Sequence, residues 1–389
     1  MGFRNCVFRF QNRAVNFTDA DGILYFGRLL MSHLAYLSNR SFVFEDYALS
    51  RMRVSFSIRD FFLRPSRIPL NALISGPTAG GPMPAPRAVN VEYWDFVCPR
   101  SVITRLSPAD APKIRDGSAL VDWWTAKLFN TPARCVEIVN RPPVLNQFLL
   151  GSNRILSLWP SLTASPILAD FTWSPLVMAG VARNLPYLTR AAPSFVPGTI
   201  EGLVAIHLPR GDYVQQCHQF LRWGKPYMGF NQFDDLPDRF DPPKFGSMKV
   251  LGGRENYYMQ HCCPKIDDVV EKLRDVRRGN ARLQRVYVLT DDWSSWWMGS
   301  LRKALAKDGW LDVRSSQNLQ LNGEQKYMKA TIDMAIAERA DVFVGNGVSV
   351  LVFIVASAAD GHLQFSSVSS NVVMLRTSKN MDPQTSRFW

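Results

Sequence analysis

Apolar and polar positions follow the clearest pattern in the second half of the chain. Leu203-Val204-Ala205-Ile206 is a short unbroken apolar run, as expected of a strand covered on both faces. Ile266, Val269, Val270, Leu273 and Val276 recur at helical spacing, and residues 285–290 (RVYVLT) read as the next strand. Leu301 and Leu305 mark a helix that should stop at Gly309. A further helix closes over residues 333–340, and Val342-Phe343-Val344 is a strand running into Gly345-Asn346-Gly347. Short buried strands alternating with helices predict a doubly wound parallel sheet. Two stretches rich in Gly and Pro punctuate the rest: residues 75–87 (SGPTAGGPMPAPR) as a surface loop and 191–202 (AAPSFVPGTIEG) as a domain linker. A chain of 389 residues exceeds one ordinary core, so the expectation is an α/β protein of two domains, 1–195 and 196–389.

Composition adds limits. Hydrophobic residues at 47%, with 11 Trp and 24 Phe, exclude a disordered chain. The formal charge of +12 asks for an anionic partner, but no run of Lys and Arg exceeds a pair such as Arg277-Arg278, which argues against nucleic acid. No CxxC occurs among Cys6, Cys98, Cys135, Cys217, Cys262 and Cys263. Cys262 and Cys263 beside His261 invite a metal reading, although adjacent cysteines fit one tetrahedral ion poorly. Disulfides or buried thiols are the other readings. The triplets Asn16-Phe17-Thr18 and Asn39-Arg40-Ser41 are glycan acceptor sequons that fit a secretory protein. Met1 opens no signal peptide and no apolar run is long enough to span a bilayer, so the expectation is a cytosolic protein or one whose N-terminus lies further upstream.

Ligands of such sheets gather outside the carboxyl ends of the strands. The first tip, His207-Leu208-Pro209-Arg210-Gly211-Asp212, offers donors and a fixed positive charge to a diphosphate; an Arg210–Asp212 ion pair is the plainer alternative. Its RGD tripeptide stands at a strand end rather than in a displayed loop. The second tip, Thr290-Asp291-Asp292, has carboxylates able to accept from a purine edge, or simply to cap the next helix. At the third, Gly345-Asn346-Gly347 lets backbone N–H groups approach an anion. No GxxxxGK[ST] and no GxGxxG after a strand occurs, and no nucleophilic triad stands out. Asp19-Ala20-Asp21 is formally a metal-holding DxD.

These motifs together resemble the GDP-fucose-dependent protein O-fucosyltransferases. Residues 207–212 are similar to that family's HxRRGD segment, VYVLTDD to its V[FY]VATD strand, and DMAIAERADVFVGNG with the later FSSVSSNVVMLR to its final nucleotide motif. SNRSFVFEDY, RPSRIPLNALISGPTAGGP and HCCPKIDDVV resemble fungal members in particular. The resemblance implies a GT-B fold, two Rossmann-like domains facing across a cleft. It also implies inverting, metal-independent transfer of fucose from GDP-fucose to a protein Ser/Thr hydroxyl, with no cofactor, in the secretory pathway lumen. Carried over by position, His207 with Asp291 or Asp292 would hold guanine, Asn346, Ser366 and Ser367 would serve the diphosphate, Asn5 would lie near acceptor or sugar, and Asp212 would hold an arginine.

Departures from the family pattern accompany the match. Pro209 occupies the place of the family's critical arginine and offers neither charge nor N–H. Arg210 is the nearest substitute, on the opposite side of an extended backbone. Where the family reads GNGFSS, residues 348–364 (VSVLVFIVASAADGHLQ), from Val348 to Gln364, intervene. Their codons can carry donor, branch and acceptor signals, so the segment reads as a translated intron; a genuine buried helix or strand is the alternative. A second such segment is suspected within residues 13–28, and Cys6 replaces the usual Gln or Asn after Asn5.

Overall fold

The computed structural model describes residues 7–11, 23–48, 56–59, 62–65, 67–139, 144, 147–190, 195–211, 213–242, 251–291, 294–348 and 368–389. Asn5, Cys6, the Asp19/Asp21 pair, the Asn16 sequon, Asp212, Asp292, Ser366, Ser367 and nearly all of residues 348–364 lie outside them. The chain divides into two compact units, Met1–Val177 and Met178–Trp389. That division falls inside the helix Pro175–Leu188, ahead of the 191–202 stretch.

The first unit carries strands β1 (Val7–Gln11), β2 (Ser41–Phe44), β3 (Val89–Asn90), β4 (Ile103–Leu106) and β5 (Cys135–Val139). They form a parallel sheet in the order β3-β2-β1-β5-β4. Helix α1 (Ile23–Leu37) follows β1, so residues 23–28 of the suspected second insertion form its opening turns. Helices α2 (Val91–Val97) and α3 (Gly117–Phe129) complete the frame. Each starts on a side-chain cap, Asn90 accepting from the Tyr93 N–H and Asp116 from the Ala119 N–H, which satisfies a helix-end donor. Glu137, buried within β5, is balanced by Arg105 at 2.9 Å. A disulfide joins Cys98, at the end of α2, to Cys135, the first residue of β5. Arg40, 2% exposed, donates to the carbonyls of Leu128 (2.9 Å), Thr131 (2.6 Å) and Ala133 (3.0 Å), between α3 and β5.

The second unit is built on β6 (Ile200–His207), β7 (Arg285–Leu289), β8 (Asp312–Ser315), β9 (Ala340–Gly345) and β10 (Ser386–Phe388). The order β8-β7-β6-β9-β10, parallel throughout, is a doubly wound arrangement whose direction switches between β6 and β9. Helices α4 (Tyr213–Arg222), α5 (Leu251–Cys262), α6 (Ile266–Gly279), α7 (Ser295–Lys307), α8 (Lys329–Arg339) and α9 (Val368–Ser378) accompany it. Val269, Leu273 and Val276 of α6 and Met298, Leu301 and Leu305 of α7 meet Val204, Ile206, Val286, Val288, Val342 and Val344 on one face of the sheet. Acidic Asp267 and Asp268 at the start of α6, with Arg277 and Arg278 at its end, suit the helix dipole. Helix α8 packs on β6, β7 and β9, and α9 lies against α8. Arg376 of α9, 1% exposed, donates to the carbonyls of Glu338 (3.1 Å) and Ala340 (2.7 Å), where α8 gives way to β9.

Candidate functional site

The period-2 geometry of strands decides what each tip can offer. Val204, Ile206 and Leu208 point into the α6/α7 core, which turns His207 to the other face, toward α9. There its Nδ1 lies 2.8 Å from the Ser369 hydroxyl, in the first turn of α9. The same hydroxyl oxygen accepts the Asn346 N–H at 2.9 Å. Ser369 therefore links the ends of β6 and β9 at the point where the strand order reverses. His207 is 8% exposed, and burial pushes its pKa down to about 3, so the ring is neutral at ordinary pH. Among the described residues its Nε2 has no hydrogen-bond partner, while its carbonyl accepts from Trp389 Nε1 at 3.0 Å.

Asn346 is fully buried, and its side-chain amide is hydrogen-bonded at both its oxygen and its nitrogen. Besides the N–H to Ser369, its Nδ2 donates to the Cys262 carbonyl at 2.6 Å and its Oδ1 accepts from the Tyr213 hydroxyl at 3.2 Å. The flanking glycines have a packing reason. A Cβ on Gly345 would meet Ser369 Cβ at 3.1 Å, and one on Gly347 would meet the Tyr227 ring at 2.3 Å. The Gly347 carbonyl accepts from the Met228 N–H (2.8 Å) and Asn231 Nδ2 (3.1 Å). The turn is thus locked by its surroundings, with Asn346 as the lock.

At the second tip, Asp291 Oδ1 accepts the Arg210 N–H at 2.9 Å and so ties β7 to β6. The cap of α7 is Ser294, which accepts from the Trp297 N–H at 3.3 Å; the capping alternative for Asp291 and Asp292 falls to that residue. Arg210 turns away from His207. Its guanidinium donates to Cys263 Sγ (3.1 Å) and the Pro264 carbonyl (2.5 Å) and lies 4.0 Å from the centre of the Trp297 ring. An arginine so held does not present an RGD loop.

Cys217 of α4 and Cys262 of α5 form the second disulfide, which removes Cys262 from any metal set. Cys263 remains a buried thiol, raised by burial and opposed by the Arg210 charge. Among the described residues no group of three or more His, Cys, Asp or Glu side chains could hold a metal, and no helix is long and apolar enough to cross a membrane. Asn39 of the second sequon is exposed, at a turn with φ of 53°.

The sequence motifs thus meet in one place: His207, Asp291 and Asn346 stand at neighbouring strand ends, with Arg210 among them but facing elsewhere. Sequence reasoning passed over Ser369, Tyr213 and the Cys262 carbonyl. The available signal was the second serine doublet in FSSVSS, at the start of a helix that follows β9. No protein-family model matches the chain, and no curated protein matches it.

Proposed function

We propose that this chain is an O-fucosyltransferase of the GDP-fucose-dependent type, whose second unit binds GDP-fucose at the ends of β6, β7 and β9. The observation that carries this reading is His207: a buried neutral imidazole with an unused Nε2, at the switch point of a 3-2-1-4-5 sheet, beside the N-terminus of α9. A helix N-terminus favours a phosphate, and a switch point is where doubly wound sheets take nucleotides. The net charge of +12 suits a diphosphate donor. Inverting transfer to a protein Ser/Thr hydroxyl, the GT-B pairing of two Rossmann-like domains, and a role for Asn5, Asp292, Ser366 and Ser367 follow from the motif resemblance alone. The disulfides Cys98–Cys135 and Cys217–Cys262 suit an oxidising compartment such as the secretory lumen.

A second reading, a GDP-sugar-binding protein without turnover, is favoured by Pro209 and by the engagement of Arg210 with Cys263, Pro264 and Trp297. Without a cation on the departing diphosphate, loss of rate on the order of 10³-fold is expected. Calorimetric titration with GDP, then incubation with GDP-fucose and EDTA, separates the cases. The expected result is GDP binding that His207→Ala weakens about tenfold or more, slow GDP release, and a large gain in Pro209→Arg. Absence of GDP binding sinks both readings. Sequencing the transcript across the codons for residues 347–365 decides which chain to test.

A further inference from the structure

Ser369 carries the inference, because the hydrogens around it can be assigned by elimination. A peptide N–H only donates, so the Ser369 oxygen accepts from Asn346, 2.9 Å away. The hydroxyl keeps one proton of its own, and among the described residues the acceptor in reach is His207 Nδ1, at 2.8 Å. Were Nδ1 protonated, the serine oxygen would face two donors and its own proton would be buried without use. With the serine donating to Nδ1, every proton in the group has a partner except the one on Nε2. Burial opposes the doubly protonated ring.

We propose that Ser369 is a positioning residue that fixes His207 as its Nε2–H tautomer, so that the ligand group meeting this strand tip is a hydrogen-bond acceptor. A phosphoryl oxygen and an acceptor on a purine edge share that chemistry, whereas a donor such as an exocyclic amine is refused. The proposal rests on the reading of His207 as a ligand contact. The tautomer can be tested independently of that reading.

The experiment is a two-bond ¹H–¹⁵N spectrum of the histidine rings in the full chain at neutral pH, with His207 assigned by its loss in His207→Gln. The expected spectrum has an unprotonated Nδ1 and a protonated Nε2; a protonated Nδ1 overturns the proposal. Ser369→Ala is expected to shift the ring toward the other tautomer and weaken GDP about tenfold, and Ser369→Thr to restore both. An unchanged tautomer in a folded Ser369→Ala also overturns it. If Ser369→Ala does not fold, the wild-type spectrum and the threonine variant still decide. Titrations with pyrophosphate and with guanosine identify the acceptor: the one whose affinity falls in Ser369→Ala holds it. Failure of all three ligands to bind the wild type would sink the nucleotide reading and leave the spectrum to judge the tautomer.

Discussion

The two sheets follow one plan where their strands begin and different plans where their strands end. At the starts, each unit places a buried arginine against the carbonyls of a helix-to-strand junction, Arg40 before β5 and Arg376 before β9. At the ends, the second unit gathers His207, Asp291 and Asn346, with the Cys217–Cys262 disulfide behind them. The disulfide of the first unit sits at the opposite edge, on the first residue of β5. The guanidinium groups at the starts are spent on carbonyls of the fold itself. At the ends of the second sheet, His207 Nε2 is left without a partner among the described residues. That difference separates scaffold from site within a common architecture.

The arginines should give the largest effects. Arg40→Met and Arg376→Met each remove the guanidinium that gathers the carbonyls of a chain junction and should each cost about 3 kcal/mol or more, read by thermal or urea unfolding. If either behaves like a surface substitution, the likeness of the two junctions is superficial. The disulfides sharpen the contrast. They close loops of 37 and 45 residues, so replacing either pair with alanine should cost at most about 4 kcal/mol, nearly the same for both. Only loss of Cys217–Cys262 should also weaken GDP, because Cys262 holds the Asn346 side chain. Equal affinities in the two double variants would dissolve the distinction between edges.

The smallest effect concerns acid. His33 of α1 is buried against Ser161 with its pKa lowered to about 4, and His207 is lowered to about 3. Both rings are neutral in the native protein, and in the unfolded chain they take up protons near the ordinary value of 6.5. Their contribution is therefore fully present above pH 6.5 and is lost as pH falls toward 4 for His33 and toward 3 for His207. His33→Gln should flatten part of that fall in stability without moving GDP affinity at neutral pH. An unchanged fall in stability would show that His33 is not the ring that resists acid.

The second sheet was legible because LVAI, RVYVL and VFV are covered on both faces and read as unbroken apolar runs. In the first sheet, CVEIV buries Glu137 in mid-strand, and SFVF and ITRL are only four residues each, too short for period alone. Strand β8, DVRS, has a single apolar residue and was missed for the same reason. His207 and Asp291 were legible as strand-end residues. Asn346 was legible by position but not by use: its side chain is tied by partners more than eighty residues distant, which no local pattern encodes. Cysteine pairing was hidden likewise, since six cysteines allow 15 connectivities.

The Cys217–Cys262 bridge also has a history in synthesis. A chain made from its N-terminus emits both cysteines long before Asn346, so their thiols can meet an oxidant before the turn they will hold exists. Cys263 emerges one residue later and meets the same oxidant with the same reach toward Cys217. In the folded chain Cys263 is a buried thiol held by Arg210, which leaves it a poor partner for exchange.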